Sequence, residues 1–157
     1  MNLVIVVLHP SDELYGADRV MLSVITKLRE RDDVRVWIPT DVHYESRGFS
    51  RALAADGIEA EPVALPVLRR GELGAPLHVD PHVMAWPRRL GDSFAVTATN
   101  NAAEPRTVTL TLPAGSPRVF EDRLDGSRHV AVDGRLTVTL PARWGRVLVG
   151  AAGAQRP

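Results

Sequence analysis

One short stretch, HPSDELYGADR over residues 9–19, gathers residue types that suit anion binding: His9, Gly16, Asp18 and Arg19. Arginine gives charge-assisted hydrogen bonds to phosphate or carboxylate, and a glycine lets the backbone approach a ligand closely. Asp18 suits the first turn of a helix, where a carboxylate meets the positive end of the dipole. The apolar run before this stretch and the amphipathic run after it put the loop at the carboxyl end of a first strand. Open α/β sheets hold ligands there, and a helix N-terminus receives a phosphorylated group. The plainer alternative makes Ser11 or Asp12 a cap, Asp18 a dipole partner and Arg19 a solvated side chain. The sequence has neither GxGxxG nor a Walker lysine motif, so no cofactor is expected.

Two further groups have chemical potential. Trp86 and Trp144 stack on sugar rings if they are exposed, or pack between layers if they are not. His78, Asp80 and His82 alternate, and in an extended strand they would share a face and could ligate a metal. Pro81 interrupts that run and no fourth ligand is evident, so no metal site is expected. Asp122 and Asp125, next to Gly126, read as turn formers.

The elements that must position these residues change period along the chain. Residues 2–8 are continuously apolar, as in a parallel strand covered on both faces. Val20, Val24, Ile25 and Leu28 recur at helical spacing. Residues 34–38 form a second strand stopped by Pro39, residues 46–55 a helix with Gly57 as its C-cap, and residues 58–65 a third strand. This predicts an α/β βαβαβ unit, half of a Rossmann-like doubly wound domain, over residues 1–66, with right-handed crossovers. Residues 67–81 read as a linker or junction. From 82 to 150 the period is two: Phe94, Val96 and Ala98 alternate with Ala95, Thr97 and Thr99, and the runs at 107–112 and 135–140 do the same. An all-β antiparallel sandwich or partial barrel of five to seven strands is expected there, followed by a disordered tail at 151–157.

Composition narrows the function classes. Across 157 residues, 19 basic and 19 acidic side chains balance, which disfavours nucleic acid or an anionic membrane as partner. The absence of cysteine removes disulfides and thiolate catalysis. The apolar run at 3–8 is too short to span a membrane and has no basic region before it, so a cytoplasmic location is the default expectation. Three parallel strands alone would leave an apolar edge, predicting either cover from the sandwich or self-association.

The pieces NLVIVVLHPSDELYGADRVMLSVITKL, VRVWIP and SRGFSRALAADGIEAEPVALPVLRR resemble the start of a GT-B retaining glycosyltransferase (family 4-like), the group that includes glycogen and sucrose synthases. Tyr15-Gly16-Ala17-Asp18-Arg19 stands where such enzymes often have Gly-Gly-Ala-Glu-Arg. The resemblance implies a nucleotide-sugar or phosphosugar ligand at His9, Gly16, Asp18 and Arg19. The second domain that supplies most donor contacts in those enzymes has no counterpart here, so little turnover by this chain alone is implied. Residues 80–150, through HVMAW, FAV, the Asn100-Asn101 turn, DGRLTVTLP and WGRVLV, resemble the C-terminal β-sandwich of α-amylase family enzymes. That likeness implies a non-catalytic carbohydrate-binding or interaction module, with a glycan as partner. The joining of the two resemblances also allows an inactive fusion fragment.

Overall fold

A computed structural model of the chain describes residues 2–6, 16–39, 48–64 and 66–151. It is mostly strand, and the chain divides into two compact units, residues 1–69 and 70–157.

In the first unit, β1 (Asn2–Val6), β2 (Asp33–Pro39) and β3 (Ala60–Val63) form a parallel sheet in that order. Helices α1 (Gly16–Arg29) and α2 (Gly48–Ala55) connect them. Ile25 of α1 and Phe49 and Leu53 of α2 join Val36 and Ile38 in one buried cluster, so both helices pack on the same face of β2. The α2 terminus follows its sequence signal. Gly57 takes φ 68°, its N–H reaches the Ala54 carbonyl at 3.0 Å, and Ile58 N–H reaches Leu53 at 2.8 Å. This is a Schellman cap with an apolar pair across it.

The structure departs from the sequence reading at three points in this unit. Leu22 and Ile25 form the inward stripe of α1, whereas Val20 and Val24, expected on it, are 64% and 46% exposed. The other face of β2 is not apolar: Arg35 grips Glu61 through paired hydrogen bonds of 2.8 and 2.7 Å, and the Trp37 indole N–H adds a third at 3.0 Å. That side of the sheet therefore ends in a polar clamp. Gly16 opens α1 and does not lie in the loop.

The second unit begins where a linker was expected. Residues 67–81 carry most of α3 (Pro66–Arg70), then β4 (Glu72–Leu73) and β5 (His78–Val79), both paired antiparallel with β6 (Val83–Leu90). Strands of two residues are too short to show a period, which hid them among the prolines and glycines. The larger sheet has seven strands. Its path runs through β10 (Arg128–Val130), β9 (Val119–Asp122), β12 (Trp144–Ala151), β7 (Ser93–Asn100), β6 and β4, with β5 also on β6. A second sheet pairs β8 (Arg106–Thr111) with β11 (Arg135–Leu140). From residue 82 onward the described residues hold seven strands, β6 to β12, within the five to seven expected there, and β4 and β5 add two from the stretch read as a linker.

Alternation decides which side chains enter the core. Val83, Ala85, Phe94, Val96, Ala98, Phe120 and Leu148 of the larger sheet meet Val108, Leu110, Leu136, Val138 and Leu140 of the smaller one in a single buried cluster. Phe94 and Phe120 meet edge to face with ring centres 6.2 Å apart. On the far side of the smaller sheet, threonine hydroxyls pair across the strands, Thr107 with Thr139 and Thr109 with Thr137, each at 2.9 Å. Two packed antiparallel layers around one core are the sandwich arrangement.

Candidate functional site

The same parity that sends Val83 and Ala85 inward sends Met84, Trp86 and Arg88 outward from β6. Trp86 is half-buried on the outer face of the larger sheet, directly opposite Thr97 of β7, which in turn faces Val147 of β12. Val79 of β5 lies opposite Met84, and Leu73 of β4 opposite Arg88. Leu73, Val79 and Met84 are 53%, 58% and 44% exposed. The result is a shallow apolar surface with one indole near its middle and threonine on one flank. Gly74 and Leu77 keep β6 bonded on either side of Trp86: Gly74 N–H donates to the Pro87 carbonyl at 3.1 Å and Leu77 N–H to Ala85 at 2.8 Å. The surface is therefore built on a hydrogen-bonded sheet and not on a loose loop. Of its members only Trp86 was singled out from sequence. The signal for the others is the alternation itself, followed one residue out of phase with the core.

Trp144 is also half-buried but starts β12 at one end of the sandwich, opposite Asn100. It belongs to a different region from Trp86, so the two tryptophans do not form one platform.

His78, Asp80 and His82 do not share a strand face. β5 stops at Val79 and β6 resumes at Val83, with Asp80 N–H donating to the Val83 carbonyl at 2.9 Å across a turn that contains Pro81. Asp80 spends its oxygens locally: Oδ2 accepts from His78 Nε2 at 2.8 Å, and Oδ1 accepts the N–H groups of His82 and Val83 at 2.7 and 2.6 Å. His82 Nδ1 turns instead to Asn101 Oδ1 at 3.2 Å. The His78 hydrogen bond, then the two backbone bonds, hold the Asp80 carboxyl well below the usual carboxylate range. Among the described residues no group of three His, Cys, Asp or Glu side chains is arranged to hold a metal.

In the first unit, His9 lies outside the described residues. Gly16, Asp18 and Arg19 form the first turn of α1, where Asp18 is half-buried and Arg19 exposed. Arg19 borders an open recess on the helix whose other members include Val20, Val24 and Leu28, a largely apolar surface. Lys27, also on its rim, is engaged with Glu30 at 2.9 Å. Among the described residues no helix is long and apolar enough to cross a membrane.

No protein family and no characterised protein matches the sequence itself. Solved structures do match in fold. A GH30 endoxylanase from Clostridium papyrosolvens C71 aligns over 96% of this chain and 42% of its own, at 12% identity and a TM-score of 0.50. An Anoxybacillus α-amylase aligns over 87% of this chain and 33% of its own, at 20% identity and TM-score 0.49. An α-amylase from Geobacillus thermoleovorans, complexed with acarbose, aligns over 64% and 21%, at 20% identity and TM-score 0.48. The chain thus spans well under half of each. These likenesses concern the fold alone, and they give no support to the resemblance of residues 1–70 to a GT-B glycosyltransferase.

Proposed function

We propose that residues 70–157 form a non-catalytic carbohydrate-binding module of the kind that follows the barrel in α-amylase family enzymes, with Trp86 as its stacking residue. The observation that carries this reading is the position of Trp86 on the outer face of the larger sheet. An indole ring among Met84, Thr97 and exposed aliphatic side chains offers an apolar face to the C–H side of a sugar ring and hydroxyls to its rim. The carboxylates of Asp80, Asp122 and Asp125 are taken up by hydrogen bonds of the fold, and no carboxylate is among the described residues that surround Trp86 in the strand register. Cleavage of a glycosidic bond needs two carboxyl groups free to flank it.

A glycan array probed with the full chain tests the proposal. Binding to neutral oligosaccharides that is lost on Trp86→Ala and kept on Trp144→Ala is the expected result. A silent array, or binding indifferent to Trp86→Ala, overturns it.

A further inference from the structure

The β8–β9 loop and the β10–β11 turn face each other across an open cavity of about 400 Å³, within the usual range for small-molecule sites. Its floor includes Leu112 and Ala131, both buried, and its walls include Ser116, Arg118, Val132 and Asp133. Backbone bonds brace the two walls against each other. Leu112 N–H donates to the Gly134 carbonyl at 2.8 Å and Ala131 N–H to Arg118 at 2.7 Å, while Val132 and Arg135 exchange a pair at 2.9 Å each. Asp133 and Gly134, with φ of 49° and 70°, make the two-residue hairpin between Val132 and Arg135. Aspartate is among the few side chains that accept that conformation. The facing loop is held too. Ser116 Oγ donates to the Pro113 carbonyl at 2.7 Å, and the Arg89 guanidinium, 4.8 Å from the Phe94 ring centre, reaches the Gly115 carbonyl at 3.4 Å.

Two charged groups of opposite sign line this braced cavity. Arg118 and Asp133 are both exposed, and among the described residues neither side chain takes a hydrogen bond or an ion pair.

We propose that this cavity is a second saccharide subsite, separate from Trp86. The Asp133 carboxylate accepts hydrogen bonds from neighbouring hydroxyls, Arg118 donates to hydroxyl or ring oxygens, and Val132 packs on the C–H face. One positive and one negative group cancel, which suits a neutral polyhydroxylated ligand over an anion. The subsite lies where Gly150 meets Pro117, near the C-terminal end of β12, whereas Trp144 starts that strand at its other end. This inference rests on the carbohydrate reading of the module.

The test is an amide NMR titration of the full chain with maltotriose and xylotriose, for the parent protein and for Arg118→Ala, Asp133→Gly and Trp86→Ala. Glycine suits the positive φ at 133, so the second variant keeps its hairpin. Saturable shifts at residues 114–118 and 131–134 are expected, weakened about tenfold by Arg118→Ala or Asp133→Gly, the effect of losing one charge-assisted hydrogen bond. Trp86→Ala should leave them in place. Shifts confined to the surroundings of Trp86 overturn the second subsite and leave the carbohydrate reading standing, as do loop shifts unchanged in both loop variants. An absence of shifts anywhere overturns both.

Discussion

Arg146 Nη1 lies 2.6 Å from Oδ2 of Asp122, with the two side chains 15% and 1% exposed. The same guanidinium reaches Asp125 Oδ2 at 2.9 Å and, through Nε, the Thr139 carbonyl at 2.7 Å, so it ties β12 both to the β9–β10 turn and to the smaller sheet. Asp122 in turn accepts the N–H groups of Leu124 and Val147 on Oδ1, at 3.0 and 3.2 Å. Removing the arginine strands a buried carboxylate. Arg146→Met should lower the unfolding free energy by about 3–5 kcal/mol, read as a lower urea midpoint. Arg146→Met combined with Asp122→Leu should recover much of that loss, because no charge is then left behind.

Asp125 gives this corner a pH dependence. Hydrogen bonding from Ser127 is the main cause that lowers its carboxyl to about 2, partly offset by burial and helped by Arg146. Since the folded value lies below the unfolded one of about 3.9, the ionised form stabilises the fold above that pH. The contribution is lost as pH falls toward about 2. Urea midpoints measured at stepwise lower pH should decline across that window in the parent and less steeply in Asp125→Asn. Asp80, also shifted downward, should extend the decline to still lower pH. Parallel profiles for parent and Asp125→Asn would contradict the assignment.

A buried amide anchors the same end of the sandwich, two residues along from Arg146 in the β7–β12 register. Asn100, 3% exposed, donates from Nδ2 to the carbonyls of Glu104, Leu140 and Pro141 at 2.9, 3.3 and 3.0 Å, and accepts Ala102 N–H on Oδ1 at 2.9 Å. Asn100→Asp replaces those donors with a carboxylate facing three carbonyls. Asn100→Leu leaves the carbonyls unpaired. Each should cost about 2–4 kcal/mol, measured by thermal unfolding, with the aspartate variant the worse of the two and worst at neutral pH.

Gly150 is a steric requirement of β12. A Cβ there would meet the Val119 carbonyl oxygen at 2.6 Å and Pro117 Cβ at 2.8 Å. Gly150→Ala should therefore cost about 1–3 kcal/mol through a forced backbone shift and should perturb the amides of the β8–β9 loop. Gly115→Ala provides the contrast. Nothing lies within 4 Å of a Cβ there, and its cost comes only from φ of 72°.

The sequence made the change of period visible, and with it the division into an α/β part and a β part. Inward residues of the sandwich were legible wherever a strand ran six residues or more, as with Phe94, Val96 and Ala98. Short strands were not legible: β4 and β5 leave no repeat to detect, and their prolines and glycines read as linker. Parity also hid the amphipathic choice on α1, where Val20 and Val24 have the spacing of a core stripe but the packing of Ile25 and Leu22 turns them outward. Asp122 and Asp125 were legible as turn residues, which they are: Leu124 and Ser127 donate to their carboxylates. Their partnership with Arg146, more than twenty residues away along the chain, needed the fold. For the candidate site, Trp86 was recognised by type, while its exposure followed only from the neighbours that fill the opposite face of β6.

The central claim is that Trp86 binds sugar, and its indole N–H resonance tests it most directly. The chain has three tryptophans, and Trp37, whose N–H is bonded to Glu61 at 3.0 Å, serves as an internal control. On titration of the full chain with trisaccharides, the Trp86 indole signal should shift saturably together with the amides of Met84 and Thr97, while the Trp37 signal stays fixed. A Trp86 signal that does not move at saturating trisaccharide, or that moves only in step with Trp37, would contradict the account.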